Sequence, residues 1–222
     1  MIDLLKTHSF FADKQIDSCE LLAHQGYCNE NYLVVADGQK YIVRKLLRND
    51  IDRAFEWRVQ NLVYAQGITA EPLVFDEKHG FMVFAFLEGE HKSKLDENKL
   101  KRLAYTLRKL HSITIDAKPI ELQIDCSTID KYQKEYVLCH NDLNPQNILF
   151  SDDVKFIDWE YASVNDRYFD LACVCVEFGL EGEVQRVFLE AYFEDEEFSV
   201  EKLKAYKMIY IVLCEEWFQN NP

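Results

Sequence analysis

Three oxygen-bearing side chains fall close together in the chain: Asp142 and Asn147 in His140-Asn-Asp-Leu-Asn-Pro-Gln-Asn147-Ile-Leu-Phe, and Asp158 closing Val154-Lys-Phe-Ile-Asp158. A magnesium ion typically takes one or two protein oxygens and completes its octahedron with phosphate and water, so an amide oxygen and a carboxylate are a suitable pair. A hairpin from Ile148 to Ile157, turning at Ser151-Asp-Asp, brings Asn147 and Asp158 together at one end. Asp142 is then left to orient a hydroxyl and accept its proton during phosphoryl transfer. Any one of these residues alone reads as a turn cap or a solvated strand end. The ordered set, flanked by matching apolar strands, points to chemistry.

The order and the Asp-to-Asn spacing are those of the kinase catalytic loop H-R-D-x-x-x-x-N followed by a metal-binding Asp. With Phe156-Ile-Asp-Trp-Glu-Tyr-Ala-Ser163, Asn165 and Phe169-Asp-Leu171, the sequence resembles the choline kinase and aminoglycoside phosphotransferase-like superfamily, most closely its choline/ethanolamine kinase branch. The resemblance is specific from about 137 to 178. It implies an α+β, protein kinase-like bilobal fold, with a small antiparallel β-sheet N-lobe and a mainly helical C-lobe. It implies Asp142 as catalytic base, Asn147 and Asp158 as magnesium ligands, Asp170 as a brace for the loop and His140 as loop support. Glu160 either supports the site or hydrogen-bonds within it. Asp-Trp-Glu-Tyr in place of D-F-G argues against a protein kinase.

On the nucleotide side, Tyr41-Ile-Val-Arg44-Lys45 reads as a third strand, with Ile42 and Arg44 on one face and Val43 and Lys45 on the other. Aligned with V-A-I-K, Arg44 takes the Lys position that meets nucleotide phosphates, and Glu56 on the following helix is its candidate partner. Gly26-Tyr-Cys-Asn29-Glu-Asn31 falls where the family has a phosphate-covering turn, which makes Asn29 a nucleotide candidate; by itself it is a hairpin turn. No G-x-x-x-x-G-K-[ST] is present, which sets aside a P-loop enzyme. Phe84 to Leu87, then Glu88-Gly89-Glu90, fits a hinge between lobes. ATP and Mg²⁺ are the expected cofactors.

Choline, the acceptor this resemblance favours, carries a trimethylammonium group without N–H donors, so a site must hold it by cation–π contact and a nearby carboxylate. Glu177 falls where choline kinases carry an acceptor-site glutamate. Tyr161 and Trp217 are the aromatic candidates, Trp217 matching the second position of a C-terminal W-x-x-W whose first position here is Cys214. Tyr210, Trp217 and Phe218 at these spacings equally suit core packing. Thiamine, ethanolamine and aminoglycosides are the alternative acceptors, and a non-catalytic nucleotide-binding module is the alternative class.

The elements that must position these residues change character near residue 88. Before it lie short β-rich runs at Glu20–Ala23, Tyr32–Ala36, Tyr41–Leu47, Leu73–Phe75 and Phe81–Leu87, with a tight hairpin signal at Asp37-Gly38. One helix, Asp50–Gln66, carries an apolar stripe of Ile51, Phe55, Val59 and Leu62 and closes at Gly67. After it, helices are expected at Asp96–His111, Tyr168–Phe178, Val184–Tyr192 and Val200–Trp217, around a non-helical block from Val137 to Trp159. The expected division is an N-terminal nucleotide-binding lobe over 1–87 and a helical lobe with catalytic loop and acceptor site over 88–222.

Composition narrows the partners. Of 222 residues, 25 are Lys or Arg against 39 Asp or Glu, a net charge of −14. That disfavours nucleic acid and anionic membranes, which bind basic surfaces, and suits a small cationic alcohol. The longest apolar run, Phe81–Leu87, is far short of the roughly 20 residues that span a bilayer. Seven cysteines without a C-x-x-C pair read as reduced thiols, and the opening Met1-Ile-Asp-Leu-Leu-Lys does not read as a secretion signal. A cytoplasmic monomer or homodimer is expected.

Overall fold

A computed structural model describes residues 1–23 and 28–220. Its contacts divide the chain into two compact units, Met1–Glu88 and Gly89–Pro222.

The first unit is built on a five-stranded antiparallel sheet of order β1-β2-β3-β5-β4: β1 Ile16–Leu21, β2 Asn29–Ala36, β3 Gln39–Leu46, β4 Pro72–Asp76 and β5 Phe81–Ala85. β2 and β3 are joined through Asp37 and Gly38, with φ of 50° and 72°; paired positive φ values match the strand twist in a two-residue hairpin. Alternation sorts the side chains. Val34, Ala36, Tyr41, Val43, Phe81 and Val83 form one core with Leu5 and Phe11. Met82 and Phe84 form another with Ala70, against Ile42, Leu46 and Trp57.

Leu5 belongs to a short helix, α1 Ile2–Thr7, which hydrophobic periodicity does not reveal because six residues span under two turns. β1 begins earlier than the apolar run at its end suggests: Asp17, Ser18 and Glu20 lie on an edge strand, with a register shift between Ile16 and Ser18.

Helix α2, Arg53–Ala65, starts where the Asp52 carboxylate accepts the Phe55 N–H at 2.9 Å, and Gly67 (φ 67°) follows its end. Its buried face is not the expected stripe. Arg53, Glu56, Val59, Gln60 and Val63 are buried, whereas Ile51, Phe55 and Leu62 are only partly so. The helix is turned because its charged residues find partners inside, which an apolar count does not register.

The second unit is mainly helical: α3 Glu97–His111, α4 Arg167–Glu177, α5 Gly182–Phe193 and α6 Val200–Asn220, with α3 packed on α5 and α4 on α6. Asp96 caps α3 by accepting the Lys99 N–H at 2.8 Å, and Leu100, Leu103, Ala104, Leu107 and Leu110 are buried along it. Two small antiparallel pairs flank the loop from His140 to Asn147. β6 Tyr136–Cys139 pairs with β9 Ser163–Asp166, and β7 Ile148–Phe150 with β8 Val154–Phe156. The block from Val137 to Trp159 is not wholly irregular, since Pro145–Asn147 form one 3₁₀ turn with proline at its start. Glu90 is bridged to Phe150, N–H to carbonyl both ways at 2.9 and 3.0 Å. Gly89 allows this approach, because a Cβ there would lie 3.2 Å from Leu149 Cβ and 3.3 Å from the Phe150 carbonyl. No helix among the described residues is long and apolar enough to cross a membrane.

Candidate active site

β6 ends at Cys139 and delivers the chain into a loop whose backbone is tightly specified. Asn141 adopts a left-handed conformation (φ 66°), tolerable for asparagine. Its Nδ2 donates to the Tyr161 carbonyl at 2.8 Å and to Ser163 Oγ at 2.7 Å, while its Oδ1 accepts from Asn165 Nδ2 at 2.9 Å. The His140 and Asn141 N–H groups donate to the two oxygens of Asp170, at 2.8 and 2.7 Å. The His140 ring ties the loop to the following strand: Nε2 donates to the Ile157 carbonyl at 2.9 Å, and Nδ1 accepts the Asp142 N–H at 3.3 Å.

Asp142 is thereby set beside two amides. Asn144 Nδ2 donates to its Oδ1 at 3.0 Å, and Asn147 Nδ2 to its Oδ2 at 2.7 Å. Burial pushes the Asp142 carboxyl upward and the neighbouring Asp158 charge adds to this; the His140 ring and the two amide hydrogen bonds pull the other way, and the net direction is up.

Asn144 has a second task, because its Oδ1 accepts the Gln146 N–H at 2.9 Å and starts the 3₁₀ turn. That turn is also held by His91, whose Nδ1 lies 3.2 Å from the Pro145 carbonyl and 3.1 Å from that of Ile148.

The β7–β8 pairing sets Ile148 opposite Phe156, and the Ile157 N–H donates to the Asn147 carbonyl at 3.0 Å. Asn147 and Asp158 therefore leave adjacent strand ends, and Asp158 turns out with φ of 67°, unusual for a residue with a Cβ. Asn147 Nδ2 donates to two oxygens of Asp142, so its Oδ1 faces the other way as an acceptor. An amide oxygen and a carboxylate on neighbouring strand ends are a hard-oxygen donor set that fits magnesium.

The acceptor candidates lie elsewhere in the same unit. Glu177 ends α4 and accepts the Tyr210 hydroxyl at 2.8 Å. Tyr210 is on α6, and Trp217 follows two turns later on the same side of the helix, its ring edge-on to Phe218 at 5.3 Å. Between them stands Cys214. Its thiol is pushed up by burial, with the Glu177 and Asp142 carboxylates adding to this and the Tyr210 hydrogen bond opposing it. Tyr161 is fixed at its backbone by Asn141.

In the first unit, Arg44 stands opposite Asn31 on β2 and Met82 on β5. Its guanidinium donates to Glu56 Oε1 at 2.9 Å and to Asn31 Oδ1 at 3.3 Å, and lies 5.5 Å from the centre of the Phe84 ring. Sequence reasoning missed Arg53. It donates to the other Glu56 oxygen at 2.7 Å and to Asn29 Oδ1 at 3.0 Å. The signal was its place one turn before Glu56 on the same helix face. Glu56 is thus gripped from both sides, and Asn29, 2% exposed, is bound into the cluster. The part of the turn at Gly26 and Tyr27 lies outside the described residues.

A five-stranded antiparallel sheet with helices α1 and α2, and a helical unit presenting an Asp/Asn/Asp loop, define a small-molecule kinase of the protein kinase-like fold. The chain belongs to the phosphotransferase enzyme family, APH, whose model matches residues 21–125 and 121–206. It is similar to Protein LicA of Haemophilus influenzae strain Rd, 30% identical over 85% of this chain and 88% of that protein. Among solved structures it resembles choline kinase LicA from Streptococcus pneumoniae, with a TM-score of 0.80 at 23% identity, covering 98% of this chain and 89% of the other. A structure of LicA in complex with AMP matches with a TM-score of 0.71 at 23% identity, over 98% and 86%.

Proposed function

We propose that this protein transfers the γ-phosphate of ATP to the hydroxyl of a small cationic alcohol, choline foremost, giving phosphocholine and ADP. The observation that carries the reading is the junction of Asp142 with Asn147, the latter bonded through Ile157 to the strand end bearing Asp158. The AMP-bound LicA structure and the phosphotransferase family support a nucleotide as donor.

Asp142 receives the acceptor hydroxyl as a hydrogen-bond donor. As its oxygen attacks the γ-phosphorus and the bond to the β-phosphate oxygen breaks, the hydroxyl proton passes to the carboxylate. Asn144 and Asn147 hold the two carboxylate oxygens, fixing the direction from which the alcohol can approach. Asn147 Oδ1 and the Asp158 carboxylate would hold Mg²⁺, which when bound neutralises charge on the nucleotide phosphates. Arg44 is assigned to the phosphates, with Glu56 setting its orientation and Asn29 steadying Arg53 on the far side. Glu177, Trp217 and Tyr161 are assigned to the acceptor, the glutamate as counter-charge and the rings as apolar walls.

A second acceptor reading has its own support. On the family resemblance, Cys214 stands at the first position of the C-terminal W-x-x-W, so one aromatic of a quaternary-amine cage is missing, which favours an amino alcohol that keeps N–H donors, such as ethanolamine. ADP release with choline, ethanolamine, thiamine and an aminoglycoside, run beside Asp142→Asn, tests both. Turnover of choline above the others is expected. Preference for ethanolamine replaces the acceptor only, and no turnover on any alcohol rejects the enzyme reading in favour of a nucleotide-binding module.

A further inference from the structure

The loop bearing Asp142 is fastened from behind by a carboxylate whose own position depends on a histidine with no part in the mechanism above. Asp170 is fully buried, and its two oxygens accept the His140 and Asn141 N–H groups. The oxygen that serves His140 also lies 3.0 Å from His111 Nε2. His111 is the last residue of α3 and is 8% exposed; its Nδ1 is 2.6 Å from the Tyr192 hydroxyl on α5. A carboxylate only accepts, so Nε2 carries the proton in this contact.

The neighbouring Cys139 gives the cluster the composition of a metal site, with ligand atoms of His111, Cys139 and Asp170 within 4.8 Å of one another. Both Asp170 oxygens, however, already receive backbone N–H groups, and the Cys139 thiol is 3.7 Å from the Asn165 carbonyl. Hydrogen bonding accounts for the group.

We infer that His111 is a positioning residue for phosphoryl transfer: it fixes the Asp170 carboxylate, and through it the backbone of His140 and Asn141, so that Asp142 is presented to the acceptor hydroxyl. The inference rests on the reading of Asp142 as base. Its physical ground is that a carboxylate serving three donors from three directions has one orientation, whereas one serving two backbone donors can pivot. Tyr192 locks the far side of the ring, and the line from α5 to the loop crosses only buried polar atoms.

The test compares His111→Gln, which keeps a donor where Nε2 stood, with His111→Asn, whose shorter amide reaches only the Nδ1 position, and with His111→Leu. Kinetics are read on the acceptor that the wild-type protein turns over best, with melting temperature and ADP binding measured alongside. Loss of the donor is expected to lower kcat about tenfold or more, the range for residues that orient a reacting group, with acceptor KM and ADP affinity within about twofold. His111→Gln is expected to recover most of the rate.

Equal kcat in the Gln and Asn variants overturns the inference, as does a His111→Leu protein that folds and keeps wild-type kcat. Should His111→Leu fail to fold, the Gln and Asn pair still decides. Asp142→Asn separates the two failures: full rate in that variant rejects the base reading itself, while a dead Asp142→Asn beside active His111 variants rejects the role of His111 alone.

Discussion

Asn147 donates through one nitrogen to both the side chain and the backbone carbonyl of Asp142, at 2.7 and 2.9 Å. These two hydrogen bonds to one partner fix the amide's orientation: nitrogen toward Asp142, oxygen away from it. A carboxylate at position 147 would offer a second acceptor to an acceptor. Asn147→Asp is therefore expected to fold yet lose most turnover, and Asn147→Ala to do likewise. Steady-state kinetics with melting curves check this, and a fully active Asn147→Asp would remove the amide from the mechanism.

Asp142→Asn matches the side chain in size, turns one of the two oxygens that accept from Asn144 and Asn147 into a donor, and removes the proton acceptor proposed above. The expected outcome is a kcat lower by about 10²- to 10⁴-fold, the usual contribution of general base catalysis, with ADP binding intact. Isothermal titration with ADP beside an ADP-release assay gives both numbers. Weakened ADP binding in proportion to the rate would show a structural defect instead.

Asp158→Asn trades a carboxylate for an amide in the donor set proposed for magnesium. The magnesium concentration giving half-maximal rate is expected to rise by an order of magnitude or more, because Mg²⁺ is typically held by few protein oxygens and the donor set here loses its negative charge. Chelation of wild-type protein with EDTA is expected to stop turnover reversibly. A rate indifferent to EDTA would reject the metal assignment.

Glu56 sits between two guanidinium groups and is 2% exposed. Removing its charge leaves Arg44 and Arg53 facing each other in the interior. Glu56→Ala is expected to destabilise the protein by about 3–5 kcal/mol, the cost of breaking a buried ion pair on one side. Urea denaturation measures it, and a change under about 1 kcal/mol, the range for exposed pairs, would show that the cluster is better solvated than its burial implies. Arg53→Met, which leaves the Arg44 contact, is expected to cost less and to raise the KM for ATP.

Glu177→Gln tests the counter-charge. The KM for a cationic acceptor is expected to rise about tenfold with the KM for ATP unchanged, since an ion contact at a ligand is commonly worth one to two kcal/mol. The Tyr210 hydroxyl still finds an acceptor in glutamine, which keeps the fold out of the comparison. An unchanged acceptor KM would move the acceptor site away from Glu177.

What could be read from the residues alone follows a physical divide. The hairpin around Ser151, the Asp37-Gly38 turn and the main helices follow from local periodicity and turn chemistry, which act over a few residues. Arg44 with Glu56 was legible because strand and helix motifs have fixed spacing. Arg53, one helical turn before Glu56, and Asn144, two residues from Asp142, stood at legible spacings but belonged to no motif. Asn31 and His111 were not legible, because each acts through hydrogen bonds to residues whose proximity exists only after folding. The same reason turned α2 away from its expected apolar stripe, since paired charges can occupy a buried face that a hydrophobic count reserves for Leu62 and Phe55.

The β7–β8 pairing has a consequence for how such a molecule can change over generations. Every group assigned to the transfer step in the second unit comes from one uninterrupted segment, His140 to Asp158, closed on itself by two three-residue strands. The acceptor candidate Trp217 sits on α6, outside that segment, whereas α4, which ends at Glu177, also carries the Asp170 that braces it. On the assignment proposed above, a drift in α6 would retune which alcohol is welcome while the segment proposed to move the phosphate is inherited untouched.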